Sequence, residues 1–363
     1  MRVGILVLCL ASQALGCTGR QGASESPKPT RGDPHAVSAM LKAVQASSES
    51  EGRKRAVTLL EQAVKLDPDL WEAHFNLGIL ATEAGEYEKA LHHLEKSHAA
   101  APNAEDIVVA LAHVHERMGN PKLAVTVLEP YVKRFPDAIA ARTVLIASLR
   151  VSAKLNEARI HAREVLIRHP GDPQALAELA LTHLAGGEAD LAALIVQEAL
   201  KAEPPSAVAE RTAGLVALHQ GDDALAFKHF ERAGELDPDD ILARLNMATV
   251  LLKAGVYEAS AKHFSAVLQR YPKETSAMLG LAAALRGQGS RDKKEPYVRA
   301  EKLLLAILEL EPTHVAAHHN LALLYANFLE NKPGAKRHYQ LFLKHAPKGH
   351  PGRSRAKELL ALP

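Results

Sequence analysis

Cysteine is almost missing from this chain: Cys9 and Cys17 are its only two among 363 residues. A disulfide framework is therefore excluded. Aromatic residues make up 4% of the sequence, with a single tryptophan, which leaves few platforms on which single-stranded nucleic acid could stack. Neither sign of charge dominates: 44 lysines and arginines face 42 aspartates and glutamates, a net charge of +2. Nucleic acid would need a concentrated basic face, and no such excess exists to build one, so no nucleic-acid partner is expected. Motifs for catalysis are missing as well. There is no G-x-x-x-x-G-K, no G-x-S-x-G and no H-E-x-x-H. Gly287-Gln288-Gly289 follows no strand, so it reads as a turn between helices and not as a dinucleotide loop. Histidine is plentiful, at 19, yet His92 with His93, or His314 with His318, lacks the third and fourth ligands of a metal site. Solvated or helix-capping imidazoles are the expected roles. No enzyme activity, no cofactor and no metal are expected.

What the chain does have is punctuation. Pro68, Pro102, Pro136, Pro170, Pro204, Pro238 and Pro272 recur every 34 residues, and Pro312 and Pro347 follow after small insertions. Twelve residues before each stands a small side chain: Ala56, Ala90, Ala124, Ala158, Ala192, Ala226, Ser260, Ala300 and Ala335. Between these points lies a glycine (Gly85, Gly119, Gly187, Gly221, Gly255, Gly289), with Ala153 standing in once. A fixed step in this range signals stacked supersecondary units instead of one globular core. Each unit reads as two antiparallel helices. The first ends at the glycine, which can take the left-handed conformation that stops a helix. The second ends at the proline, which lacks an N–H and clashes with the preceding turn. The small residue marks a close approach of backbones, where a large side chain overpacks by roughly 1–3 kcal/mol. Pro121, Pro173 and Pro333 fit first-turn positions, and Pro130 falls inside a helix, where it removes one backbone bond and predicts a kink.

This pattern resembles the tetratricopeptide repeat (TPR) family over about residues 37–347. The unit from Trp71 to Ala104 carries the likeness best, with Leu77-Gly78, Tyr87, Ala90, Leu94 and Pro102 at the family's positions. The family's usual tryptophan position holds His74 instead. The resemblance implies an all-α fold, a right-handed superhelical solenoid of about nine helix-turn-helix repeats starting near 37, 71, 105, 139, 173, 207, 241, 275 and 315. The first repeat is degenerate in its first helix. Residues 348–363, with Ala356, Leu359, Leu360 and Leu362, suit a C-terminal capping helix, which solenoids need at their ends. The eighth unit carries an extra charged stretch, Ser290–Arg299, which with Pro296 predicts an exposed loop.

The start of the chain reads as an address. Met1-Arg2 is a short basic leader, Val3–Leu10 an apolar core too short to span a bilayer as a stable helix, and Ala14-Leu15-Gly16-Cys17 its end. Residues 1–16 thus read as a secretory signal. The last four residues resemble a bacterial lipobox, which implies that Cys17 is acylated and becomes the new N-terminus; Ala14 departs from the usual leucine. Cys9 leaves with the leader, so the sole remaining thiol sits where lipid would attach. Loss of Arg2 leaves a net charge of +1. Thr18 after the cysteine, in place of aspartate, implies the outer membrane and a periplasmic face. Residues 17–36 are rich in Gly, Ser, Pro and charge, cannot form a core, and read as a disordered tether spanning roughly 25 Å.

In the TPR family the first helix of each unit lines a concave groove, at repeat places 2, 5, 9, 12 and 13. Carried onto this sequence, the early groove holds Glu72, Phe75, Glu83, Asp106, His113 and Glu116. The middle holds Leu181, Leu184, Leu215, Leu218, Leu242, Leu245, Leu252 and Leu279, beside Arg211 and Asn246. An apolar row of that kind implies a partner, whose amphipathic helix or extended peptide would fit it; the alternative is that the leucines pack on neighbouring helices. Arg211, Asn246, Asn76 and Asn320 occupy single places of the family's carboxylate clamp. Leu215, Ser276 and Gly280 fill the others, so the full clamp is missing. The expected function is a lipid-anchored scaffold or adaptor binding envelope proteins, within a gliding-motility, type IV pilus or secretion machine. The alternative is a periplasmic glycan- or muropeptide-binding protein, or an accessory subunit of a polysaccharide-synthesis system.

Overall fold

Every proline of the 34-residue step stands between helices, and the chain is helical on either side of it. A computed structural model describes residues 32–47, 52–290 and 292–361. The leader, Cys17, most of the tether and Arg291 of the extra stretch lie outside the described residues. Within them the chain forms nineteen α-helices and no strand. These are α1 (Pro34–Ser47), α2 (Arg53–Leu66), α3 (Trp71–Glu83), α4 (Tyr87–Ala100), α5 (Glu105–Arg117), α6 (Pro121–Arg134), α7 (Ile139–Val151), α8 (Leu155–Arg168), α9 (Pro173–Ala185) and α10 (Ala189–Ala199). They continue as α11 (Ala207–Gln220), α12 (Asp223–Leu236), α13 (Ile241–Lys253), α14 (Tyr257–Arg270), α15 (Thr275–Gln288), α16 (Glu295–Leu310), α17 (Val315–Asn327), α18 (Lys332–His345) and α19 (Gly352–Ala361). Two compact units result. One takes the described residues through Asp222 with 235–239, the other Asp223–Gly234 and the residues from Asp240 onward.

In the first unit α1 pairs with α2, α3 with α4, α5 with α6, α7 with α8 and α9 with α10; in the second α13 pairs with α14, α15 with α16 and α17 with α18. Successive odd helices also touch, α5 with α7 and α7 with α9 in the first unit, α13 with α15 and α15 with α17 in the second. The small residues explain the pairing. Ala56, Ala90, Ala124, Ala158, Ala192, Ala226 and Ser260 are fully buried, Ala300 is 1% exposed and Ala335 6%. Ser260 keeps its hydroxyl there by donating to the Ala248 carbonyl across the pair at 2.8 Å. Glycines allow close approach both within a pair, as Gly78 of α3 against α4, and between successive pairs, as Gly280 of α15 against α14. A Cβ on Gly78 would lie 2.5 Å from Leu94, and one on Gly280 2.2 Å from the Phe264 ring.

Helix ends follow local chemistry. Gly85, Gly119, Gly187, Gly221 and Gly255 take positive φ, and Ala153 does so without the glycine, at φ 60°. Gly289 differs from the expected series: its backbone is extended, at φ −75° and ψ 155°. Its lack of a side chain serves a neighbour, since a Cβ there would sit 2.3 Å from the Tyr297 ring. Starts are capped by Asp172, whose Oδ1 accepts from Ala175 N at 2.7 Å, and by Asp240, which accepts from Leu242 and Ala243. One cap crosses between repeats: Glu105 Oε1 accepts from Ala141 N at 2.8 Å at the head of α7.

Two expectations need correcting. The extra stretch of the eighth unit is not a loop through Arg299. Helix α16 already begins at Glu295, Pro296 occupies its first turn, and Pro296 and Tyr297 are buried. The proline opens this helix because its missing N–H is an orphan in the first turn anyway. At the other end, α1 begins at Pro34, so the segment read as tether through residue 36 overlaps it by three residues. Asp33 caps that start, its Oδ1 accepting from His35 N and Ala36 N. Pro130 does fall inside α6, where its missing N–H leaves the Thr126 carbonyl without its helical donor.

Candidate interaction surface

The odd-numbered helices carry every residue assigned to the groove, and the structure sorts those residues into several roles. In the first unit the acidic ones are largely engaged between repeats. Arg53 of α2 donates to Glu83 of α3. The Ser148 hydroxyl on α7 lies 2.6 Å from Glu116 Oε1 of α5 and 2.9 Å from the Val144 carbonyl, and shares its one proton between them. His113 Nδ1 stands 3.3 Å from the other Glu116 oxygen. Arg150 of α7 grips Glu178 of α9 through Nε and Nη2, at 3.2 and 3.1 Å. These contacts tie α5 to α7 and α7 to α9, so much of the polar lining holds the repeats in register.

Burial sets the electrostatics. The Glu178 side chain is 15% exposed, and desolvation raises its carboxyl above the usual range despite Arg150 and Arg211 nearby. Burial likewise raises Glu105 and Asp106. The Tyr131 phenol is pushed up to about 12 by burial, with those two carboxylates adding to it, and donates to the Asn103 carbonyl at 2.9 Å. Phe75 belongs to the core, packed with Trp71, Ile79 and Leu111, and is not a groove residue.

The leucine row is divided between the units. Leu181 and Leu184 on α9 and Leu215 and Leu218 on α11 are half-buried, with Arg211 beside them on α11. Leu184 rests against Ala180, Ala192 and Val196. In the second unit Leu242 is 47% exposed at the head of α13. Leu245 and Leu252 of α13 and Leu279 of α15 are half-buried against that unit's core, and Asn246 on α13 is half-buried too. The clamp-like asparagines do not project as free donors. Asn76 is 2% exposed and its Nδ2 donates to the Glu72 carbonyl. Asn320 Nδ2 donates to the Ala316 carbonyl, and its Oδ1 accepts from Arg286 at 3.2 Å.

The histidines singled out in the sequence have structural partners. His314 caps α17, its Nδ1 accepting from Ala317 N at 3.1 Å. His318 meets His338, and His93 meets His74, each pair with Nδ1 atoms 3.0 Å apart. Sequence reading missed these pairs, although a signal was present: His74, Arg142 and Arg244 share one repeat position, and a histidine follows each by nineteen residues. Among the described residues no group of three or more His, Cys, Asp or Glu could hold a metal ion. Among them, too, no helix is long and apolar enough to cross a membrane.

Paired helices stacked through small residues, with half-buried leucines on α9, α11, α13 and α15, define a helical-repeat fold. Tetratricopeptide-repeat profiles match it at residues 81–145 and 217–285, and at 41–105, 148–207 and 178–241. The chain is a tetratricopeptide-repeat protein, and that fold is generally a non-catalytic scaffold for protein interaction. Solved structures agree on the fold. Cut9 in its complex with Hcn1 is similar with a TM-score of 0.57 and 17% identity, over 89% of this chain and 62% of that one. This chain therefore spans less than two thirds of that protein's length. Human IFIT1, solved as a dimer with a capped RNA fragment, gives a TM-score of 0.59 at 15% identity, over 90% of this chain and 80% of that one. PilF of Pseudomonas aeruginosa gives 0.50 at 18% identity, over 60% of this chain and 96% of that one. No curated protein matches the sequence.

Proposed function

We propose that this protein is a lipid-anchored scaffold on the periplasmic side of a bacterial outer membrane. In this reading it seats an amphipathic helix or extended peptide of a partner envelope protein against the leucines of its odd-numbered helices. The observation that carries the reading is Leu242, 47% exposed, standing on α13 with half-buried Leu245 and Leu252. Leucine at that exposure leaves apolar surface in water that a partner could cover. Leu181, Leu184, Leu215 and Leu218 offer the same chemistry on α9 and α11. The leader and Cys17 supply the address, and the length of the repeat array favours an envelope-spanning motility or export machine.

Two measurements test this. Leu215→Glu with Leu242→Glu is expected to leave helicity and melting nearly unchanged while abolishing in-cell crosslinks to the partner that the parent protein captures. Identical crosslinking profiles would remove the leucines from the recognition surface and favour a glycan or muropeptide ligand. Cys17→Ser is expected to move the protein from the membrane fraction to the soluble periplasm. Continued membrane retention would remove the lipid anchor.

A further inference from the structure

The second and ninth repeats each set two imidazoles against one another, and the fourth repeat builds the same contact with a guanidinium. His74 on α3 directs Nδ1 at His93 Nδ1 on α4, at 3.0 Å, and Nε2 at the Pro68 carbonyl, at 3.0 Å. His318 on α17 directs Nδ1 at His338 Nδ1 on α18 and Nε2 at the Pro312 carbonyl, both at 3.0 Å. A carbonyl only accepts, so Nε2 of His74 and of His318 carries the proton. When these rings are neutral, their Nδ1 atoms are bare and must accept, and His93 and His338 donate from Nδ1–H. The hydrogen bonds thus fix one tautomer for each of the four rings. His74 and His318 are each 3% exposed and His338 9%.

The fourth repeat shows what the same place looks like when it holds a permanent charge. Arg142 on α7 donates through Nη2 to the Pro136 carbonyl at 3.2 Å and through Nη1 to His161 Nδ1 on α8 at 3.0 Å. Its charge is balanced by Glu164, three residues beyond His161 on the same helix. Three residues beyond His93 stands Lys96, and three beyond His338 stands Leu341. The carboxylate that makes a cation tolerable in the fourth repeat is therefore replaced by a lysine in the second and by a leucine in the ninth.

We propose that the His74–His93 and His318–His338 pairs are proton-sensitive fasteners, holding their helix pairs while neutral and weakening them on protonation, whereas the fourth repeat builds its contact around a permanent cation that Glu164 balances. One proton on a pair keeps the hydrogen bond but adds a cation to a largely desolvated site among cationic neighbours. Two protons set Nδ1–H against Nδ1–H at 3.0 Å. Around the first pair stand Lys89, His92 and Lys96 from α4, and Asp69 from the turn before α3 is the one anion. Around the second stand His314, Arg337 and His345. Burial and these neighbours push His93 and His338 down to about 4, and lower His74 and His318 as well.

The sign follows directly. The unfolded chain protonates these rings near 6.5 and the folded chain protonates them later, so stability is fully present above that value and is lost as pH falls toward 4. His93 and His338 each lower the folding equilibrium constant by about tenfold per pH unit across that window, and His74 and His318 act in the same direction.

The test is an imidazole nitrogen NMR titration of the intact protein from pH 7.5 to 3.5, with urea unfolding at pH 7 and pH 5. The expected spectrum has Nε2–H tautomers for His74 and His318, Nδ1–H tautomers for His93 and His338, and midpoints below 5 for the last two. Exchange of both pairs to the arrangement of the fourth repeat, His74→Arg with Lys96→Glu and His318→Arg with Leu341→Glu, is expected to shrink the loss of urea midpoint between pH 7 and 5. Midpoints near 6.5, or other tautomers, would overturn the proposal whether or not the exchanged protein folds. So would an exchanged protein that folds yet loses as much in acid as the parent.

Discussion

Arg142→Ala is expected to lower the stability of the first unit by about 2–4 kcal/mol, read by urea unfolding at pH 7. The side chain is 8% exposed, and its guanidinium donates to two backbone carbonyls, those of Val132 and Pro136. Taking that donor from the buried Val132 carbonyl costs about 1–3 kcal/mol, whereas the Pro136 carbonyl keeps Arg168 Nη1 at 2.6 Å. The arginine stem also fills space between α7 and α8 that alanine would leave open. Because Glu164 is 47% exposed, it returns to water when its partner is removed and adds little to the cost. Arg142→His is expected to recover part of the loss by making the contact that His74 makes with His93. If Arg142→Ala cost less than about 1 kcal/mol, the view of this side chain as a buried tie between helices would be wrong.

Phe342→Ala should cost the second unit about 3–5 kcal/mol, the range for removing a fully buried ring. Phe342 is 0% exposed. His319 lies 4.8 Å from its ring centre, and His350 meets it edge-on at 5.1 Å. A Cβ on Gly352, at the start of α19, would come within 3.2 Å of it. The ring is thus the surface on which the last helix begins, and its loss should release α19 before the rest of the unit melts. Hydrogen exchange would show protection lost first at Ala356, which is 1% exposed in the parent.

Positions that answer to the backbone alone could be read from the sequence. The row from Ala56 to Ala335 marks where two helices come closest, and only a small side chain satisfies that distance. The 34-residue proline step marks where a helix must stop, and α3, α5, α7, α9, α11, α13, α15 and α17 begin three residues after those prolines. Reading went astray where one residue type has two uses. Gly289 looked like a left-handed stop and instead makes room for Tyr297. Pro296 looked like a loop residue and instead opens α16. Phe75 was assigned to the groove by its repeat place, but the bulk of Trp71 and Ile79 beside it closes that part of the helix into the core. The imidazole pairs depend on side-chain direction across two helices, which periodicity does not report. The unusual histidine in the family's tryptophan place was their trace.

Within each unit, helices touch mainly those next to them or two places along the chain, so a residue seldom waits for a neighbour far away in sequence. A ribosome releases such a protein in portions that are already complete. Once α3, α4 and α5 have emerged, α3 and α4 have the surfaces they bury, whatever remains to be made. Short-range contacts also mean that folding never has to close a long loop, and chains of this kind fold in microseconds to milliseconds. Damage should stay equally local: a cut in the turn between two pairs leaves the pairs on each side able to close again, where a cut through a single-core domain would forfeit the whole.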